Sequence, residues 1–274
     1  MIVRSLVENR SIASNWQCAH GLSLYVETGM HRLLFDLGPG DSLINNSAEA
    51  GLDLADVDLV VLSHGHNDHG GGLGYFLEMN QHAPIFIRQH AFDHHYSLQP
   101  TGVQKDISLD NKLSGVHRFK IVDEILKLDE ELLLFPTTLK TTKSPMKSNK
   151  NLFRMTEDGL KNDNFDHEQH LIVHIDHLDV LFSGCAHGGI LNILEQAKLI
   201  LGHYPHIVIG GFHLASTTGL KVSQTDIEAL SKALIATNAK FYTCHCTGYE
   251  AYQLMKPLMK DQLDYFATGN LLLL

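Results

Sequence analysis

Short apolar runs, broken by turns rich in glycine and histidine, recur along the chain and predict strands alternating with helices. Residues 1–10 read as a first strand. Residues 21–27 (GLSLYVE) and 32–36 (RLLFD) flank Thr28-Gly29-Met30-His31, a hairpin pattern. Asp36-Leu37-Gly38-Pro39-Gly40 then turns the chain sharply, and 41–52 suit a helix capped by Asp41 or Ser42. Val57-Asp58-Leu59-Val60-Val61-Leu62 carries the β-branched and aliphatic signature of a buried strand. A helix is predicted after Gly72, a strand over 84–89, and a pair of strands over 119–126 and 131–136, forming a hairpin. Later come a hairpin of 170–175 with 179–182, helices over 191–201, 225–236 (capped by Ser223 or Thr225) and 250–259, and strands over 206–209, 240–243 and 265–267. Residues 137–169 are the least patterned part, rich in Lys, Ser, Asn and Asp. They predict an irregular, lid-like insertion within a single domain spanning 1–274.

The strand ending at Leu62 runs into Ser63-His64-Gly65-His66-Asn67-Asp68-His69-Gly70-Gly71-Gly72. Neutral imidazole nitrogen suits zinc, iron and nickel, and carboxylate adds a hard oxygen donor. His64 and His66 are two apart, so in extended chain they point the same way and can share an ion. Asp68 and His69 lie past the bend, where they face a second ion more easily. The pattern reads as two metal half-sites. Asp36, at a strand end, is a candidate to orient a ligand histidine, a turn-starting role being equally compatible.

The same device returns further on: an apolar strand, a turn of small residues, then histidine. It occurs at Ser183-Gly184-Cys185-Ala186-His187, at Gly210-Gly211-Phe212-His213-Leu214, and at Cys244-His245-Cys246-Thr247-Gly248. Functional groups in α/β proteins gather outside the carboxyl ends of strands, so one cleft is expected to collect these histidines. Alternation along an extended 244–246 would put both thiols opposite His245, which favours His245 as ligand and the thiols as packing. Cys185 reads as a thiolate ligand, a near-site residue or a small buried hydrophobe, the last two together being favoured. Gly248, followed by a helix, is a candidate anion seat. Lys140, Lys143, Lys147 and Lys150 read first as a solvated loop, with Lys143 the candidate contact to an anionic substrate. His90, His94 and His95 are expected to face solvent.

The run His64-x-His66-x-Asp68-His69 resembles the signature of the metallo-β-lactamase fold. HGLSLYVET, LLFDLG, VVLSHGHNDHGGGL, LFSGCAHGGILNI, GGFHL and HCTG are similar to one branch of it, metal-dependent hydrolases of the β-lactamase superfamily II type. That branch includes proteins named as dihydropterin-ribofuranosylaminobenzene phosphate synthase. Residues 90–165 do not carry the resemblance. It implies an α/β, four-layer αββα sandwich and two divalent metal ions, zinc foremost, with manganese or iron as alternatives. By the same likeness His64, His66, Asp68, His69, His187 and His245 are metal ligands, and His213 is a ligand or a substrate-facing residue. Asp68 and His213 are then the catalytic candidates, Asp68 orienting the nucleophile and His213 donating to a developing oxyanion. Related enzymes usually carry a bridging Asp where Cys185 stands, and often a further ligand near Glu168.

The expected activity is metal-assisted hydrolysis of a small anionic molecule, a phosphoester or phosphodiester ahead of a lactone, amide or thioester. The alternatives are a transferase joining a pterin pyrophosphate to a ribofuranosylaminobenzene phosphate, and a non-catalytic metal or ligand sensor. Composition narrows the setting. A formal net charge of −10 argues against a general nucleic-acid or anionic-membrane binder. Glu8 and Arg10 interrupt what a secretory segment would need to be apolar, no stretch has spanning length, and four cysteines do not resemble a disulfide framework. The expectation is a cytoplasmic protein without membrane or nucleic-acid partners, with a homo-oligomer left open.

Overall fold

The structure, a computed structural model, describes residues 1–140, 146–216, 219–220 and 222–274. Lys143 therefore lies outside the described residues. The chain divides into two compact units, one of Met1–Asp123, Lys150–Gln169 and Ala267–Leu274, the other of Glu124–Asn149 and His170–Phe266.

The first unit is built on a seven-stranded sheet. Its strands run in the order Leu271–Leu273, Ile2–Val7, Ser23–Glu27, Arg32–Phe35, Leu59–Val61, Ile85–Ile87 and Phe119–Ile121. The hairpin around Thr28–His31 forms as expected, and from Arg32–Phe35 onward the pairing is parallel. Parallel strands are covered on both faces, and Leu33, Leu34, Phe35, Val60, Val61, Ile85 and Ile87 are accordingly buried. Helices Ser42–Glu49 and Leu73–Met79 add Leu43, Leu73 and Phe76 to this core.

A four-stranded antiparallel sheet completes the unit, in the order Gly159–Asn162, Leu152–Thr156, His95–Leu98, Gln104–Asp106. This corrects the expectation that 137–169 is irregular throughout. Glu157-Asp158-Gly159 is the hairpin signal that composition obscured: Thr156 pairs with Gly159, and Gly159 takes φ +101° to close the turn.

The second unit has its own seven-stranded sheet, in the order Leu263–Tyr265, Lys240–Thr243, Ile207–Gly210, Leu178–Ser183, Gln169–Ile175, Leu132–Pro136, Leu126–Lys127. The strand expected over 119–126 is split: Phe119–Ile121 joins the first unit's sheet, and only Leu126–Lys127 pairs with Leu132–Pro136. Helices Ile190–Leu201, Gln224–Ile235 and Tyr249–Met259 present Ile190, Ile193, Leu194 and Ala197, then Ile227, Leu230 and Leu234, then Ala251, Met255 and Met259 to one core. These are the three- and four-residue spacings of amphipathic helices. Ser223 caps the middle helix in a capping box with Asp226. Parallel registry places Ser183, Gly210 and Thr243 side by side, so the three turns that follow leave the same edge of this sheet. Among the described residues no helix is long and apolar enough to cross a membrane.

Candidate functional site

In the first unit, registry sets Phe35 beside Val61, and Asp36, one residue on, and Ser63, two residues on, emerge together at the carboxyl ends of their strands. Asp36 is buried and holds φ +62°, a left-handed conformation that aspartate tolerates better than most residues. Its Oδ1 accepts the Ser63 amide at 2.7 Å. Its Oδ2 accepts the Ser63 hydroxyl at 2.7 Å and His69 Nδ1 at 2.6 Å. With Nδ1–H held by the carboxylate, His69 keeps its Nε2 lone pair for a cation. Asp36 thus takes the orienting role and not merely that of a turn residue.

His64 Nδ1 donates to Ser63 Oγ at 2.9 Å, and its Nε2 lies 3.0 Å from His66 Nδ1. Two imidazole nitrogens this close are a pair that one ion can gather, so the donor set fits a divalent metal. Gly65 between them admits no side chain, because a Cβ would stand 2.2 Å from the Ala91 carbonyl oxygen. Burial first, then the neighbouring His95 and His167, hold His66 well below the ordinary histidine value, so it is neutral, the ligating form. Asp68 differs: its side chain is 21% exposed and lies 3.5 Å from His20 Nε2. A partly open carboxylate beside a buried histidine set is placed to meet both an ion and solvent.

The local cluster after strand Ile85–Ile87 separates. His94 is exposed and His90 half-exposed, as expected, whereas His95 is fully buried. Its Nδ1 lies 2.9 Å from Asp163 Oδ2, which also accepts His167 Nε2 at 3.1 Å. Burial alone would raise the Asp163 carboxyl, but the bonds from His167 and His95 outweigh it and hold it far below the usual carboxylate range. Asp163 and His167 were missed in the sequence, and their four-residue spacing beside Glu168 is the one signal that could have found them. Glu168 itself is buried.

In the second unit, the three turns that leave the sheet edge carry His187, His213 and His245. Ala186, His213 and His245 hold φ of +58°, +51° and +49°, strain that clusters at functional turns. His187 Nδ1 meets Asn149 Oδ1 at 3.1 Å while Asn149 Nδ2 donates to the His187 carbonyl at 2.9 Å. Asn149, unremarked in the sequence, grips this histidine twice. The rings of His187 and His213 lie 4.2 Å apart. Thr247 Oγ1 accepts the Phe212 amide at 2.8 Å and lies 2.6 Å from Thr243 Oγ1, which ties the His213 turn to the His245 turn.

One argument from the sequence does not hold here. His245–Thr247 is a one-turn 3-10 helix, so the alternation argument for 244–246 does not apply. Cys246 instead groups with Cys185 and His213, their ligand atoms lying within 4.8 Å of one another. Burial pushes the Cys246 thiol up, but hydrogen bonds from Cys185 and His213 and the charge of His245 and His213 outweigh it, leaving it well below the ordinary thiol value. Cys185 is both near-site and buried, as read from the sequence. Gly248 precedes helix Tyr249–Met259, and its own N–H donates to the His245 carbonyl at 3.1 Å. Glycine is required there by φ +77° and by Ala215, whose Cβ would lie 2.5 Å from an added one.

The family model of the metallo-β-lactamase superfamily matches residues 17–142. A solved structure named Tm1679, a metal-dependent hydrolase of the β-lactamase superfamily, is 28% identical, covers 100% of this chain and 99% of its own, and superposes with a TM-score of 0.85. Residues 17–142 thus match a metallo-β-lactamase domain, and the chain has the metallo-β-lactamase fold. Its mixed α/β architecture of several sheets and few helices is that fold. A relative from Methanocaldococcus jannaschii, named 7,8-dihydropterin-6-methyl-4-(beta-D-ribofuranosyl)-aminobenzene-5'-phosphate synthase, is 27% identical across 92% of this chain and 89% of its own length. A solved structure named a diphosphatase from the PhnP family is similar in fold to this chain at 11% identity and a TM-score of 0.57, covering 100% of this chain and 97% of its own.

Proposed function

We propose that this protein is a metal-dependent hydrolase of a small anionic substrate, a phosphoester or phosphodiester foremost. The observation that carries the reading is the buried His64–His66–His69 group with Asp36 fixing the tautomer of His69. Histidines so oriented are held for a cation, and the Tm1679 structure named as a metal-dependent hydrolase supports the same chemistry. In this proposal His64, His66, Asp68, His69, His187 and His245 are the ligands of two divalent ions, zinc foremost. Bound divalent ions supply Lewis acidity and readied water. Asp68, the partly open carboxylate, orients the attacking water and takes its proton. His213 donates to the oxyanion that develops on the substrate. We place the protein in the cytoplasm, without nucleic-acid or membrane partners.

A second reading has its own support, the synthase name of the 27% identical relative. In that case the same residues assist departure of pyrophosphate while an aryl amine attacks. Bound-metal analysis together with turnover of generic phosphodiesters, before and after chelation and metal return, tests the first reading. Turnover indifferent to chelation ends it. A new C–N bond with pyrophosphate release would instead select the transferase.

A further inference from the structure

We propose a second metal position in the first unit, formed by His95, Asp163 and His66 and separate from the ion that the His64–His69 run would hold. The ligand atoms of His66, His95, Asp163 and His167 lie within 4.8 Å of one another, and the surroundings exclude solvent.

Hydrogen bonds assign the protons. His95 Nε2 faces the His90 carbonyl oxygen at 3.2 Å and its Nδ1 faces Asp163 Oδ2 at 2.9 Å. Both neighbours are acceptors, yet a neutral imidazole has one N–H. A cation therefore belongs between His95 Nδ1 and the carboxylate, either a second proton or a metal ion. His167 has no such need: its Nδ1 accepts the Gly65 amide at 3.0 Å, so its N–H is on Nε2, donating to Asp163 Oδ2 at 3.1 Å. It supports the carboxylate, as does the Phe165 amide, which donates to Asp163 Oδ1 at 2.8 Å.

A similar chain sets His66. The Ser63 hydroxyl donates to Asp36, so its oxygen takes the N–H of His64 Nδ1. His64 Nε2 then takes the N–H of His66 Nδ1, which leaves the lone pair of His66 on Nε2. The donor set is two imidazole nitrogens and one carboxylate oxygen, with the other nitrogen of His95 anchored on a carbonyl. Such sets suit zinc, iron(II) or manganese(II). Bonds of about 2.0–2.2 Å separate tetrahedral donors by roughly 3.3–3.6 Å, so His95 and Asp163 open by about half an ångström to admit the ion. The ion takes the place of the proton between them, and one proton leaves.

A neutral imidazole has one lone pair, so His66 serves one ion at a time. The position at Asp163 is strongest where the motif is weakened, and it does not depend on the hydrolase proposal. Crystals of the H69Q chain grown in excess cobalt, read by anomalous scattering, test it. The expected result is a peak within about 2.3 Å of both His95 Nδ1 and Asp163 Oδ2. Equilibrium dialysis should show the H69Q/D163N double variant binding one cobalt fewer per chain than H69Q. Absence of the peak in H69Q overturns the proposal, whether or not the double variant folds. Ions on the His64–His69 run alone, in wild type and H69Q, likewise overturn it and leave the hydrolase reading standing. An ion beside Asp163 with none on that run, in wild type, does the reverse.

Discussion

At the scale of single residues, Asp36 decides how the motif is presented, because one carboxylate fixes the Ser63 amide, the Ser63 hydroxyl and His69 Nδ1 together. Asn keeps its shape but turns one acceptor into a donor that opposes the His69 N–H. Asp36→Asn is expected to weaken zinc binding about 10–100-fold, measured by competition with a chromophoric chelator. Unchanged affinity would remove His69 from the ligand set. His170 makes a different prediction. It is fully buried, 2.7 Å from Thr137 Oγ1, and burial pushes its pKa down to about 3. The fold therefore keeps it neutral while the unfolded chain protonates it near 6.5. Its contribution is fully present above about 6.5 and falls as pH drops toward 3. At pH 5 the loss is about 2 kcal/mol. Urea midpoints at pH 7.5 and 5 should show His170→Gln losing less stability on acidification than wild type by about that amount. Equal losses would show that another group carries the acid sensitivity.

At the scale of elements, the turn between strand Leu59–Val61 and helix Asn67–Gly70 is set by what surrounds Gly65. An alanine methyl would meet the Ala91 carbonyl at 2.2 Å, and backbone yields less readily than a side chain. Gly65→Ala is expected to destabilise the fold by about 1–3 kcal/mol and to disturb His64 and His66 on either side. Denaturant unfolding and bound-metal analysis of one preparation check both effects, and a variant with wild-type stability and metal content would contradict the tight packing. The strands and helices were largely legible because their apolar periods are local. So was the recurrence of histidine after apolar strands, which registry at Ser183, Gly210 and Thr243 explains. What stayed hidden depends on tertiary neighbours. His95 looks like any histidine of a polar stretch until Asp163 is brought beside it, and Asn149 is unremarkable until it faces His187. The alternation argument for 244–246 failed for a local reason: a positive φ at His245 starts a 3-10 turn where extended chain was presumed.

At the scale of the whole molecule, the chain changes unit repeatedly, with Lys150–Gln169 and Ala267–Leu274 both returning to the unit built by Met1–Asp123. No shift in composition marks these crossings, since both units bury sheets and helices of the same apolar character, so the division is invisible along the sequence. Thermal stability is a test of metal binding that is independent of any substrate. An ion that binds only folded protein stabilises it by about 2.7 kcal/mol when free metal stands at 100 times its Kd. At roughly 2–4 °C per kcal/mol for a chain of this size, that amounts to a rise in Tm of about 5–10 °C. Chelated protein should therefore melt lower than the zinc-replete protein by this margin, and the increment should grow with the logarithm of free zinc. His64→Ala and His187→Ala should each flatten that dependence while leaving a folded baseline. A Tm unmoved by chelation and return of zinc would mean that these histidines, however well oriented, hold no ion.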